Sequence, residues 1–220
     1  MTDDINSDRL VRIAGWAGLL GALLVGAAEF ALQFNPEGGY ESAGYGYFAD
    51  IAPARFFWGH YAGVLAAPLY IVGYWYLSRM LAPGGKRLAA TFFLIGAYAF
   101  AVGTAWLGQR AFLGFTVQAM ETGGASEELL QTFATLNEPL VNVLRAAMLA
   151  VSAIWVVMIV RGGTRFPRWM AIMSPFALLA AIFALYSAAP AAGVFVLPVA
   201  MNAAHAVVFA LALATERPRR

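Results

Sequence analysis

The chain contains no cysteine, which excludes disulfides, thiolate metal sites and cysteine nucleophiles together. Charge is scarce as well: 12% of the 220 residues are Asp, Glu, Lys or Arg, against 61% that are hydrophobic. A soluble domain of this size needs more polar surface than that to face water. Only two histidines occur, neither in a tight ligand motif, and no phosphate-binding glycine loop, zinc-protease signature or Ser-His-Asp motif is present. There is no internal repeat and no soluble domain. The slight basic balance, +2, lies in short segments beside apolar runs, where it reports membrane topology and not nucleic-acid binding.

What the chain does have is apolar runs of about 20 residues, the length a helix needs to cross about 30 Å of hydrocarbon. Six spans are predicted, at about 11–34, 56–81, 88–117, 139–160, 169–188 and 194–214. The expected fold is therefore all-α: one transmembrane domain over residues 1–220, a six-helix bundle. The first span carries no small-residue cleavage site and reads as retained. Ala82-Pro83-Gly84-Gly85 and Arg161-Gly162-Gly163 read as turns. Pro139 and Pro167 read as helix starts, and Pro68, Pro175 and Pro198 as kinks within spans.

Basic residues orient the bundle. Arg9 and Arg12, then Arg79, Lys86 and Arg87, then Arg161, Arg165 and Arg168, then Arg217, Arg219 and Arg220 all fall on one side if six spans alternate. The other side holds Glu37, Glu41, Asp50, Glu121, Glu127 and Glu128, with Arg55 its loop cation. Both termini are expected to be cytoplasmic. Trp16, Tyr74, Trp75, Tyr76 and Trp169 are assigned to the inner interfacial belt, and Trp58, Tyr61 and Trp106 to the outer one. Gly59-x-x-x-Gly63 reads as internal packing in preference to a homodimer face.

Two outer loops are long. The first, about 35–55, is rich in glycine and in Tyr40, Tyr45, Tyr47 and Phe48, and is expected to lie at the interface or close over the bundle. The second predicts a short amphipathic helix capped by Ser126, with Leu129, Leu130, Phe133 and Leu136 on one face.

Charged groups at membrane depth cost several kcal/mol unless paired or hydrated, roughly 2.5–3.5 kcal/mol on insertion scales. Glu29, His60, Gln109, Arg110, Glu138, Asn142, Arg145, Asn202 and His205 all fall in the predicted extracytoplasmic half. Glu138, Asn142 and Arg145 share one helical face, as do Asn202 and His205. Both faces are expected to point inward, forming a polar pocket that opens outward. Three readings compete. The polar set can be a structural network, with Glu29 and Glu138 neutralising Arg110 and Arg145. It can bind, and even transport, a small polar or amphipathic ligand or a lipid head group, the arginines holding an anionic group. It can serve a membrane-embedded enzyme or redox protein, with metal at the Glu/His cluster or haem between His60 and His205. Among the functional readings the binding pocket leads, with membrane lipids and such a ligand as partners, no nucleic acid, and no metal or cofactor assigned.

Several stretches resemble an uncharacterised family of small six-span prokaryotic membrane proteins: Arg55 with Gly59-His60-Tyr61-Ala62-Gly63, Pro68 to Trp75, Leu81 to Lys86, Phe166 to Met170 with Pro175, and Asn202 with His205. The resemblance implies the six-span fold, an acidic residue at Glu29, and a place in the prokaryotic inner membrane. It implies no activity.

Overall fold

In the computed structural model, residues 2–36 and 44–216 are described, with side chains from Asp8 onward. Tyr40, Glu37 and Glu41 of the first loop, and Arg217, Arg219 and Arg220 of the tail, lie outside the described residues. The described residues form helices and turns without strands: α1 (Thr2–Gln33), α2 (Pro53–Ala66), α3 (Pro68–Leu81), α4 (Lys86–Glu121), α5 (Glu127–Arg161), α6 (Pro175–Ala188), the single-turn α7 (Pro190–Gly193) and α8 (Ala200–Thr215), with short 3₁₀ turns between. Five stretches are long and apolar enough to cross a membrane, Asp8–Gln33, Pro53–Gly84, Lys86–Glu121, Glu127–Arg161 and Leu197–Thr215. That is the construction of a multi-pass membrane protein.

Proline sets most of the interruptions. Pro68 divides the second span into α2 and α3 at Ala67, as the missing N–H dictates. Pro175 does not kink a helix. It starts one, at the first position of α6, where Ser174 caps the end by accepting from the Ala177 N–H at 3.3 Å. Pro139 shows the reverse: it lies inside α5, not at its start. The lost bond would have gone to the carbonyl of Thr135, and both residues are exposed, so water can satisfy it. The predicted amphipathic helix is consequently the first part of α5. Its Ser126 cap is present, accepting from the Leu129 N–H at 3.2 Å. Leu130 is buried, while Leu129 and Leu136 point outward.

The fifth predicted span is the shortest. It opens with a 3₁₀ turn, Arg168–Met173, and continues as the 14-residue α6, which rises about 21 Å. By contrast α4, with 36 residues, rises about 54 Å, well beyond a 30 Å hydrocarbon layer. The α4–α5 hairpin therefore extends past one face of the apolar slab.

The two ends of the bundle differ. At one end Arg165 meets Asp8 at 3.6 Å, Arg12 meets Glu216 at 3.6 Å, the Tyr76 hydroxyl donates to Glu216 at 2.9 Å, and the Arg165 N–H donates to the Met80 carbonyl at 3.0 Å. The start of α1, the end of α3, the turn after α5 and the end of α8 thus gather together. At the other end Phe195 stacks on Phe34 at 5.3 Å and the loop around Tyr45 reaches Glu138. Residues 166–195 therefore run from one end to the other, although only part of that path is α-helix.

Close backbone approach holds the middle. A Cβ at Gly73 would lie 2.4 Å from the Gly18 Cα, so α1 and α3 cross there nearly backbone to backbone. Gly59 and Gly63 serve the same end: side chains there would meet Leu32 and Ala28 of α1 and Leu107 of α4. The Gly-x-x-x-Gly motif is thus used within the chain. Tyr74, Tyr76 and Trp106 also depart from expectation. All three are buried, where the sequence reading assigned them to interfacial belts; Trp16, Trp58, Tyr61, Trp75 and Trp169 are exposed as that reading requires.

Candidate functional site

Polar side chains line up from the outer end of the bundle toward its middle. The outermost group centres on Arg110 of α4, which is 5% exposed. Its Nη1 donates to Glu138 Oε1 at 3.3 Å, its Nη2 donates to the Tyr47 hydroxyl, and its guanidinium lies 5.2–5.4 Å from the ring centroids of Tyr45, Phe48 and Trp106. Three π-faces and an ion pair suit a delocalised, weakly hydrated cation better than they would suit a lysine. The Tyr45 hydroxyl donates to the same Glu138 oxygen at 2.6 Å.

The loop that brings these tyrosines in is stapled down. Gln118 Nε2 lies 3.2, 3.3 and 2.6 Å from the carbonyls of Phe48, Ala49 and Ile51. Asn35 Nδ2 donates to the Tyr47 carbonyl at 3.1 Å, and Arg55 Nη2 caps α1 by donating to the carbonyls of Phe30 and Phe34. Residues 44–52 are therefore a fixed cover. The tyrosines stay neutral under it. Burial pushes Tyr47 up to about 12 against the pull of Arg110, and burial, then the hydrogen bond to Glu138, drives Tyr45 higher still.

Beneath the cover lies a cleft of two lobes. One, of about 310 Å³, is lined by Tyr45, Tyr47, Trp106, Arg110, Glu138 and Arg145. The other, of about 450 Å³, shares Tyr45 and Glu138 and adds the apolar Val117, Met120, Leu130 and Ala134. Two residues that line the first lobe each carry a buried donor with no partner: Arg110 Nε and Trp106 Nε1. An unpaired buried donor is costly and uncommon. Arg145 stands at the rim, exposed, its Nη1 donating to Asn142 Oδ1 at 3.2 Å, and no carboxylate forms an ion pair with it among the described residues.

The deeper group centres on Glu29 of α1. Asn202 Nδ2 donates to Oε2 at 2.5 Å, Gln33 Nε2 donates to Oε1 at 3.1 Å, and the Tyr70 hydroxyl donates to Asn202 Oδ1 at 2.6 Å. Arg110 and Tyr47 are within electrostatic reach of this carboxylate, which joins the two groups. A cavity of about 50 Å³ adjoins Glu29, lined also by Tyr70, Thr104, Trp106, Leu144 and Asn202. Trp106 walls both this cavity and the outer cleft.

The histidines stand apart. His205 is fully buried among Tyr70, Tyr74, Phe100 and Phe209. Its Nδ1 faces the Met201 carbonyl at 2.7 Å and must donate; Nε2, 2.9 Å from the Tyr74 hydroxyl, then accepts. Both nitrogens are engaged. His60 is half-buried elsewhere, its Nδ1 donating to the Gly108 carbonyl at 2.9 Å and its ring edge-on to Tyr61 and Phe112. The two rings share no neighbour in these contacts, and the described residues contain no group of three metal-ligating side chains. The geometry does not supply the shared haem or the Glu/His metal cluster of the third reading.

Of the nine candidates, Arg110 and Glu138 meet directly, as do Glu29 and Asn202. Gln109 joins a third contact, accepting from Asn137 Nδ2 at 3.1 Å. Asn142 and Arg145 are exposed, contrary to the expected inward face. The buried side of α5 carries Leu130, Ala134, Asn137, Leu144 and Met148, one residue behind the predicted set. Asn137, which also donates to the Trp106 carbonyl at 3.0 Å, was missed because it was read as the end of a polar loop. Gln33, Tyr45, Tyr47, Tyr70, Tyr74 and Gln118 were missed as site residues. Tyr74 had been taken for a belt residue, and nothing in sequence spacing links loop tyrosines to Arg110.

A family profile matches residues 2–216, nearly the whole chain, and carries the description of a family of unknown function. No curated protein and no solved structure matches the chain.

Proposed function

Because the chain belongs to DUF6796, a family of unknown function, its role must be read from its own site, and we propose that the outer cleft binds a small polar or amphipathic ligand through an anionic group. The supporting observation is the pair of unpartnered buried donors, Arg110 Nε and Trp106 Nε1, on two residues that wall a cleft with Arg145 at its mouth. Donors without acceptors favour an incoming oxyanion. Glu138 and Tyr45 leave the same lobe able to accept a proton-bearing group beside it. The adjoining lobe offers Val117, Met120, Leu130 and Ala134 to an apolar portion, which suits an amphiphile such as an anionic lipid.

In this reading the protein makes six crossings of a prokaryotic inner membrane as one domain, with both termini cytoplasmic. The gathering of Asp8, Arg12, Arg165 and Glu216 at one end supports that arrangement, because only an even number of crossings brings both ends of the chain to one side. The short α6 is then the weakest crossing and is completed by the turns on either side of it. The cleft faces outward.

The test is thermal unfolding of the purified protein with three probes: sodium phosphate, nanodiscs of phosphatidylglycerol and nanodiscs of phosphatidylcholine. An anionic probe raises Tm for the wild type and less for Arg145→Ala, and phosphate against phosphatidylglycerol separates a free anion from a lipid. No difference between anionic and neutral probes means that the polar set is architectural.

A further inference from the structure

We propose that Glu29 is a proton-binding site inside the bundle, carrying its proton on Oε1. Glu29 is buried, yet among the described residues no cation stands within ion-pair distance of it. Arg110, the nearest guanidinium, directs its contacts to Glu138 and Tyr47. The groups that do touch Glu29 are neutral amides, Asn202 and Gln33. A carboxylate held this way inside an apolar bundle keeps an uncompensated charge away from water. A proton removes it.

The surroundings agree. The titratable or charged groups facing Glu29 are Arg110 from α4, Tyr47 from the outer loop and Tyr70 from α3. On α2 the nearest cation, Arg55, is tied to the carbonyls of Phe30 and Phe34. From α8 comes the neutral Asn202, with His205 three residues further on and engaged with Tyr74.

Gln33 offers the proton an acceptor. Gln33 Oε1 is a buried acceptor with no partner, although its own Nε2 is 3.1 Å from Glu29 Oε1. Rotating that amide half a turn places Oε1 where Nε2 stands. A proton on Glu29 Oε1 then donates to it without moving the backbone, and Nε2 takes the place Oε1 had. The hydroxyls on the cavity side have already given their protons, Tyr70 to Asn202 and Thr104 to the Phe100 carbonyl. They present only lone pairs. The cavity beside them, about 50 Å³, has room for one or two waters that would carry a proton to the carboxyl. Trp106 lines both this cavity and the outer cleft.

The test treats the whole protein, in detergent, with dicyclohexylcarbodiimide, an apolar reagent that attacks protonated carboxyl groups, and maps the adduct by peptide mass spectrometry. Labelling is expected on Glu29, falling as pH is raised, and far weaker on the solvated Glu138. Infrared spectra are expected to contain a buried carboxylic C=O band that Glu29→Gln removes and Glu138→Gln leaves. Because glutamine copies the shape of a protonated glutamate, Glu29→Gln should unfold within a few degrees of wild type. A Glu29 that is carboxylate across the neutral range by infrared overturns the proposal, whatever the reagent does. So does protection of Glu29 by sodium chloride but not choline chloride, which would give the compensating charge to a metal cation.

Discussion

The polar groups near Tyr74 and those near Arg110 lie in one bundle but obey different rules. Around His205 every donor has an acceptor: Nδ1 with Met201, the Tyr74 hydroxyl with Nε2, and four rings packed against the imidazole. Around Arg110 the guanidinium is buried but its partner Glu138 is half-exposed, and Arg110 Nε and Trp106 Nε1 are left without acceptors in the wall of a cleft. The inner set is finished as architecture. In the proposed reading the outer set is completed by a ligand. That difference separates structural from functional polarity better than depth does, since both sets are equally improbable in an apolar run.

The largest effect that sharpens the contrast is expected from Arg110→Ala. It leaves the Tyr47 hydroxyl without its partner and opens a hole under the loop, while the half-exposed Glu138 turns to water, so about 3 kcal/mol of stability should be lost, read by denaturant unfolding in detergent. His205→Phe should cost less, about 1–3 kcal/mol, by stranding the Tyr74 hydroxyl in the core. It should leave any response to phosphate or phosphatidylglycerol intact; loss of that response would erase the division between the two regions. Gln118→Ala should cost about 1 kcal/mol and speed proteolytic cleavage within residues 44–52, because three loop carbonyls lose their donor.

Much of this division could be read from the chain. Glu29 and Arg110 announced themselves as charges inside apolar runs, and the four basic clusters foretold which ends would meet. Pro68 and Ser126 acted as their chemistry requires. The face of α5 was misjudged because Glu138, Asn142 and Arg145 are the conspicuous polar residues, whereas the helix buries the quieter Asn137 and leaves Asn142 and Arg145 outside. A 100° error in rotation separates those two answers, and only tertiary packing selects between them. Tyrosine was the other blind spot. A phenol suits an interfacial belt and a buried network equally well, and its partner is set by helices more than a hundred residues away, as for Tyr70 with Asn202 and Tyr74 with His205.

Two smaller effects probe the outer region alone. Tyr47 is held up at about 12 by burial, above the ordinary value of 10, so the protonated phenol is favoured by folding. Its contribution is complete below pH 10 and is lost as pH rises from 10 towards 12. Absorbance of the phenolate should therefore appear later than in the unfolded chain, and Arg110→Ala should raise the Tyr47 midpoint further by removing the opposing cation. Arg145→Ala, at an exposed position paired only with Asn142, should change stability by less than about 0.5 kcal/mol, while weakening the response to anionic probes.

The central claim is that the spare donors under the tyrosine loop await an oxyanion. A density map of the protein in phosphatidylglycerol nanodiscs tests it most directly. The account predicts a phosphate group within hydrogen-bond distance of Arg110 Nε and Trp106 Nε1, with its apolar part along Val117 and Leu130. A cleft that holds only water, or that has collapsed onto Trp106 with Arg145 turned to solvent, would contradict it.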